Sequence, residues 1–412
     1  MYAICLSLLW SHFFKITRLA VIIIMATTTT TTTTAALTKT VFPQANHFVS
    51  KENYRNEFSA HYPPVATVQP GEFIHVETND CFHGKIHPDL DEDPGDAVMK
   101  IPRDQRNPIT GPIFVTGAMP GDVLAVELLD IRPSGVGVAC CGPYSGQLCH
   151  WIKAKPSKSP VTAKFFDLSA DRTIVTMRES LEHGQQQQRQ TRQPKRIGPI
   201  SFPTSPMLGV IGVAPAGTEG ISTIPAGKHG GNLDNNCNGI GSTVYLPVNH
   251  PGALLSIGDM HASQGDGEIS GNGVEIGGDV LLRCAIIKQK DLYPSLSMND
   301  NNPEDGDNDG KDINLRLEFP VTETTTHWIT HGVMVENIPQ TTNVACEEAA
   351  KLLMGQWGFT IEEAFIFLSV KGYLGLCQSC NPDQGTQIAK MTVPKLDVCP
   401  RPFRTLWDTQ QK

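Results

Sequence analysis

Two stretches of the chain hold side chains that could do chemistry. One is Pro225 to Asp234, Pro-Ala-Gly-Lys-His-Gly-Gly-Asn-Leu-Asp. The other is Gly258 to Glu268, Gly-Asp-Met-His-Ala-Ser-Gln-Gly-Asp-Gly-Glu. Glycine costs conformational entropy but permits backbone shapes closed to other residues. Interleaving it with acids and imidazoles makes turns that aim polar groups at one point, which a hydrolytic or cation site needs and a core does not. The candidate ligands and acid/base groups are Asp234, Asp259, His261, Asp266 and Glu268, with His229 as the second imidazole. Mixed carboxylate and imidazole ligation suits zinc, or another divalent cation where carboxylates dominate. In an extended chain Asp259 and His261 point to the same side, and so would Asp266 and Glu268. A carboxylate left off the cation can act as base toward water. Singly, each acid would also serve as a turn cap; the clustering favours a site.

Other positions carry weaker signals. Thr78-Asn79-Asp80-Cys81-Phe82-His83-Gly84 ends a strand with polar groups. Asp80 and His83 are candidates to join the site, with turn-making as the alternative. His75 reads as a structural imidazole, and His87-Pro88-Asp89 as the start of an exposed acidic loop. Cys140-Cys141-Gly142 has the form of a nucleophile turn, but no base can be assigned to it. Cys377-x-x-Cys380 lacks a second ligand pair at zinc-finger spacing, so structural thiols are the better reading. Asp305 to Gly310 imitates an EF-hand opening, but the bidentate twelfth position is Arg316, so a solvated loop is expected. There is no Gly-x-Ser-x-Gly, P-loop or dinucleotide fingerprint, and no recognisable Ser-Ser-Lys amidase signature.

The elements that must position these groups read as strands. Pro64 to Gln69, Glu72 to Thr78 and Asp122 to Asp130 alternate or run apolar, and Pro70-Gly71 and Pro120-Gly121 turn the chain just ahead of the last two. Met207 to Ala214 and Gly278 to Ile287 read as further strands. Helices are expected over Thr342 to Gln356 and, behind a capping box at Thr360 to Glu363, to about Val370, followed by a strand from Gln387 to Val393. The expected class is mainly β with an α+β C-terminal part, a sandwich- or barrel-like fold. The expected organisation is a low-complexity leader (1–40), a β-rich N-terminal part (41–200) with a Gln-rich loop at 182–196, a glycine-rich β core carrying the site (201–290), and a C-terminal part (291–412) with an acidic loop at 299–312.

With 412 residues the chain can bury a large core, and Gly 37 plus Pro 30 favours strands and turns over long helices. A net charge of −9 argues against nucleic acid or an anionic membrane as the main partner. The odd, scattered set of 11 cysteines points to free thiols in a reducing, cytoplasmic setting. Neither apolar run before Met25 is long enough to span a bilayer. A start at Met25, ahead of the threonine run 27–34, or a disordered leader is expected; organelle targeting is the alternative.

Across roughly Val65 to Pro394 the chain resembles the acetamidase/formamidase family. The anchors are Val76 to Phe82, Asn107 to Ile113, Gly117 to Asp122, Gly209 to Pro215, Gly230 to Asp234 and Gly258 to Glu268, with Glu363 to Ser369 and Lys395 near the end. His229 before the Gly-Gly pair is similar to the acetamidase branch, where the formamidase branch tends to Asn. The leader and the two polar inserts depart from the pattern without touching the anchors. The resemblance implies cleavage of short linear amides such as formamide and acetamide to carboxylate and ammonia, a β-rich two-part fold and a homo-oligomer. Against that reaction, Glu268 is the expected proton carrier with Asp266 beside it, and Asn232 the group that orients the amide. The Gly230 and Gly231 N–H groups are expected to hold the oxyanion. The expected ligands of a divalent cation, zinc by preference, are Asp80, His229, Asp234, Asp259 and His261. The competing readings are a hydrolase of another amide or a cyclic imide, and a non-catalytic ligand-binding relative.

Overall fold

The computed structural model describes residues 41–152, 159–179, 198–288, 291, 315–334, 337–380 and 387–397. The leader with its start at Met25, the Gln-rich insert and the acidic 299–312 loop lie outside the described residues. Gln44–Lys412 forms one compact unit.

The elements that matter for the site are β1 (Phe73–Thr78), α1 (Pro94–Lys100), β2 (Ile109–Val115), β3 (Val123–Cys141), β4 (Met207–Gly212), β5 (Gly230–Asn232), β6 (Thr243–Pro247), β7 (Leu255–His261), β8 (Glu275–Ile287), β9 (His327–Met334), α2 (Ile338–Trp357), α3 (Ile361–Lys371), β10 (Tyr373–Gln378) and β11 (Gln387–Pro394). The long strands β3 and β8 run antiparallel, with Val126 opposite Cys284. On its other edge β8 pairs with β1, Val280 opposite Val76, while β3 pairs with β6, Val126 opposite Val244. A second set is centred on β7, which lies between β4 and β2. β5 lines the far edge of β4. The pairing of His261 with Glu275 ties β7 to β8 and brings the ends of the two sets together.

Alternation along the central strands decides where the cores lie. Leu124, Val126 and Leu128 of β3 and Val280, Leu282 and Cys284 of β8 enter the main core. Their neighbours Val123, Ala125, Ala285 and Ile287 enter a second core with α2. Strands buried on both faces read as nearly continuous apolar runs, which is how these stretches look in the sequence. Each such Val, Leu or Ile contributes about 1.5–3 kcal/mol by burial. In α2, Ala345, Ala349, Leu352 and Leu353 form the buried stripe. Asn337 caps its start and Gly358, at φ 69°, its end. Thr360 and Glu363 form the expected capping box of α3. Among the described residues no helix is long and apolar enough to cross a membrane.

The mainly β architecture with a helical C-terminal part is as the sequence leads one to expect. Two elements differ. The strand beginning near Asp122 does not stop at Asp130; it continues through Arg132-Pro133-Ser134-Gly135 to Cys141, with irregular register against β8 taking up the turn-like residues. The acidic stretch after His87 leads into α1, whose first residue is Pro94 and whose N-cap Asp93 accepts from the Gly95 and Asp96 N–H groups.

Candidate active site

β4 and β7 form the floor of the site. In both strands the apolar alternation skips a beat, with core residues Leu208 and then Ile211, Ile257 and then Met260. The skip is opposite in the two strands, at Gly209 and Asp259, and Asp259 takes a left-handed φ of 53°. Asp259 and His261 consequently share a side, with Asp259 Oδ2 3.6 Å from His261 Nε2. Asp234 follows β5 at φ 44°, and its N–H donates to the Gly209 carbonyl at 3.1 Å. Glu268 also stands at φ 44°, in a loop fixed to the end of β10 by Gly267 N–H to Leu376 O at 2.9 Å and Ser379 N–H to Gly267 O at 3.1 Å. Left-handed φ at a non-glycine residue costs on the order of 1–3 kcal/mol, a cost that clusters at functional sites.

The carboxylates converge. Gln378 Nε2 donates to Asp234 Oδ2 and, at 3.2 Å, to Glu268 Oε2. Cys380 Sγ lies 3.5 Å from the same Glu268 oxygen. Asn107 Nδ2 donates to Asn232 Oδ1 at 3.2 Å and Asp259 Oδ2 at 3.3 Å. Glu275, at the start of β8, accepts the Gly273 N–H on Oε1 at 3.0 Å. Its Oε2 lies 3.1 Å from His261 Nε2. Gly209 provides the clearance: a Cβ there would sit 2.6 Å from Asp259 Oδ2 and 2.7 Å from Asp234 Oδ1.

The tautomer of His261 follows from its neighbours. Gln264 Nε2 donates to the Asp234 carbonyl at 2.6 Å, so the Gln264 oxygen faces His261 Nδ1 at 2.8 Å. An amide oxygen only accepts, so Nδ1 carries a proton and Nε2 is the nitrogen turned to the carboxylates. Burial opposes the imidazolium, but Glu275 and Asp259 outweigh it and hold His261 well above its ordinary pKa. Burial, then the charges of Glu268 and Asp259, pushes Asp234 well up. Burial likewise raises Glu268 and Glu275.

Two buried oxygens of this cluster, Asp234 Oδ1 and Asp259 Oδ1, have no hydrogen-bond partner, and His261 Nε2 and Glu275 Oε2 face each other at 3.1 Å. Donor atoms of Asp234, His261 and Glu268 lie within 4.8 Å of one another, as do those of Cys81, Asp259 and Glu275. Buried carboxylates this close need a counter-charge, and unsatisfied buried polar atoms are costly. The donor set of oxygens and one imidazole nitrogen fits a divalent cation.

Asp234, Asp259, His261 and Glu268 are thus brought together, and Asn232 lines the same cavity as Asp234, Asp259 and Glu268. The other expected residues stand elsewhere. Asp266 is exposed and pairs with Lys390 at 2.5 Å. The intervening Gly267 at φ 84° and Glu268 at 44° break the extended geometry that would have kept Asp266 and Glu268 on one side. Gly230 and Gly231 are flanked by strand pairing on both edges. His229 packs edge-on against Phe58, with ring centroids 5.1 Å apart. The Asp80 carboxylate accepts the Phe82 and Gly84 N–H groups at 2.8 and 2.9 Å, a turn-making arrangement. Cys140, at the end of β3, is a buried thiol pushed up to about 12, which is not the state of a nucleophile. Glu275, Gln378, Asn107 and Gln264 are participants that local reading passed over. Gln264 lies in the Gly258–Glu268 stretch, Asn107 opens a family anchor and Gln378 lies between Cys377 and Cys380, but no local signal gives any of the three a role, and Glu275 comes from a separate strand.

Comparison with known proteins bears on this arrangement. The model of the acetamidase/formamidase family matches residues 43–218 and 215–375. A formamidase of Methylophilus methylotrophus is 28% identical over 262 residues, covering 57% of this chain and 64% of its own. An acetamidase of Mycolicibacterium smegmatis is 27% identical over 277 residues, covering 57% and 66%. The chain therefore spans just under two thirds of the length of these curated relatives. The solved structure of an acetamidase from Bacillus halodurans superposes with a TM-score of 0.65 and 31% identity, covering 84% of this chain and 97% of that one.

Proposed function

The chain belongs to the acetamidase/formamidase family, and from that premise we propose that it hydrolyses short linear amides to carboxylate and ammonia at the carboxylate–imidazole cluster. The observation that carries this reading is the convergence of the buried Asp234, Asp259, Glu268 and Glu275 carboxylates on one cavity, with Asp234 Oδ1 and Asp259 Oδ1 unpartnered and His261 set against Asp259 and Glu275. Asp234, Asp259, His261 and Glu275 are the residues that would hold a divalent cation. Glu268, whose Oε2 accepts from Gln378 and Cys380, is the carboxylate left to act on water. When bound, the cation supplies carbonyl polarisation and acidifies water.

The remaining work falls to side chains. Asn107 engages Asn232 Oδ1, which leaves Asn232 Nδ2 to donate to the amide carbonyl and to the oxyanion that develops from it. Asn232 takes this role in place of Gly230 and Gly231, which do not line the cavity. Glu268, its carboxyl raised by burial, accepts the proton of the attacking water and passes it to the departing nitrogen. Water adds to the amide carbon, the carbon–nitrogen bond breaks, and ammonia and the carboxylate leave. A homo-oligomer forms part of the same proposal. It is supported by the apolar outer surface of α3 and β10, where Phe365 is 74% and Val370 70% exposed.

Removing the cation tests the assignment. Protein stripped with a chelator is expected to lose ammonia release from acetamide by at least about a hundredfold, and to regain it on addition of zinc or another divalent ion. Turnover indifferent to chelation would remove the cation from the site while leaving the hydrolysis in place.

A further inference from the structure

The cation ligand Asp234 and the proton carrier Glu268 stand on separate loops, one just after β5 and the other ahead of β8, and the two loops are bridged twice. Inside the cavity Gln378 Nε2 donates to both carboxylates. The second bridge is made by residues two positions away from each acid. Asn236 Nδ2 donates to Asp266 Oδ1 at 2.8 Å. Lys390 Nζ donates to the same Asp266 oxygen at 2.5 Å and to Asn236 Oδ1 at 2.9 Å. Both bridges spring from one hairpin: Gln378 ends β10, and Lys390 lies in β11 opposite Gly375. The backbone of the Glu268 loop is fastened to the same hairpin, with Gly267 N–H on Leu376 O at 2.9 Å and Gly267 bridged to Gln378.

Lys390 has no part in the mechanism above, yet its side chain is only 8% exposed, against 57% for Asp266. A lysine is seldom buried this far unless its charge is paired. Asn236, Asp266 and Lys390 do not line the cavity that holds the carboxylates, so any effect they have on the reaction passes through Asp234 and Glu268. The three side chains close a ring. The Lys390 ammonium only donates and the Asp266 carboxylate only accepts, which fixes the Asn236 amide with its oxygen toward Lys390 and its nitrogen toward Asp266. In such a ring each bond polarises the next, and removing one member weakens the rest. A single residue separates Asn236 from Asp234, and another separates Asp266 from Glu268. The second connection is a left-handed turn with little slack, Gly267 at φ 84° and Glu268 at 44°. A shift of about 1 Å at an acting group can cost on the order of a hundredfold in rate.

Resting on the amidohydrolase reading above, we propose that Lys390 is a positioning residue for this reaction, setting the spacing of Asp234 and Glu268 from outside the cavity through Asn236 and Asp266. The test compares wild type, Lys390→Met, Asp266→Ala and the double variant, each loaded with zinc, on acetamide. Lys390→Met keeps the stem of the side chain and removes the ammonium. Its kcat is expected to fall by at least about tenfold, as for a displaced acting group, while KM stays within about twofold. Asp266→Ala, made at an exposed side chain, is expected to lower kcat in the same way. The double variant should be no slower than the slower single one, because both substitutions break one ring. A merely structural role would lower the melting temperature and leave kcat of the folded, loaded protein unchanged, and that result would overturn the proposal. Losses that multiply in the double variant would overturn it as well, and so would a raised KM with unchanged kcat. Should Lys390→Met fail to fold, Asp266→Ala decides alone: an unchanged kcat counts against the proposal and a lowered one supports it. Wild-type protein that releases no ammonia from acetamide or formamide would overturn the reading beneath, and this inference with it.

Discussion

Glu268→Gln should fold, bind its cation and release ammonia from acetamide about a hundred- to ten-thousandfold more slowly, the range associated with loss of a positioned acid/base group. The substitution replaces one oxygen by an amide nitrogen and keeps the shape. The amide oxygen can still accept from Gln378 Nε2 and from the Cys380 thiol, which hold Glu268 at 3.2 and 3.5 Å. The loop geometry at φ 44° is untouched. What disappears is the capacity to take a proton from water and return it to nitrogen. The unpartnered buried oxygens, Asp234 Oδ1 and Asp259 Oδ1, belong to other residues, while a Glu268 oxygen lies within 4.8 Å of donor atoms of Asp234 and His261. Turnover and cation content measured together separate the roles. Full turnover removes Glu268 from the mechanism, and loss of the cation along with turnover makes it a ligand.

Gly209→Ala is expected to abolish cation binding although residue 209 has no polar side chain. The added methyl would stand 2.6 Å from Asp259 Oδ2 and 2.7 Å from Asp234 Oδ1, with the Asp259 carbonyl oxygen at 3.0 Å. Both carboxylates must move, and both sit on left-handed backbone with little freedom to follow. Overpacking of this kind costs about 1–3 kcal/mol of stability, which a domain with this much buried core survives. The expected result is a folded protein whose melting temperature falls by several degrees and whose cation affinity and amide turnover fall by at least about a hundredfold. Calorimetric titration with zinc checks it. Wild-type affinity in this variant would show that Asp234 and Asp259 do not share a ligand.

Much of this arrangement is legible in the chain because its signals are local. The central strands show themselves as apolar runs since both faces are buried, and the start of α3 is written in Thr360 and Glu363. Asp259 and His261 share a side, as expected of strand neighbours two apart, although Asp259 itself stands at a left-handed φ of 53°. The same rule misleads at Asp266 and Glu268, because positive φ at Gly267 and Glu268 turns one carboxyl out to Lys390 and the other in to Gln378. The glycine pair Gly230-Gly231 looks like an oxyanion cradle in sequence, but pairing with β4 on one side and with Ala226 and Gly227 on the other occupies it. The helix α1 has only seven residues, too few for a periodic stripe to show. Glu275, Gln378 and Asn107 reach the site from β8, β10 and the turn before β2. Their part depends on strand register across the whole unit, which no local pattern encodes.

The most direct measurement is the release of ammonia and carboxylate from acetamide and formamide by the purified, cation-loaded protein. The expected result is equal amounts of the two products, in proportion to enzyme and time. Folded protein with its cation bound that releases neither product from any linear amide would contradict amide hydrolysis at this cluster.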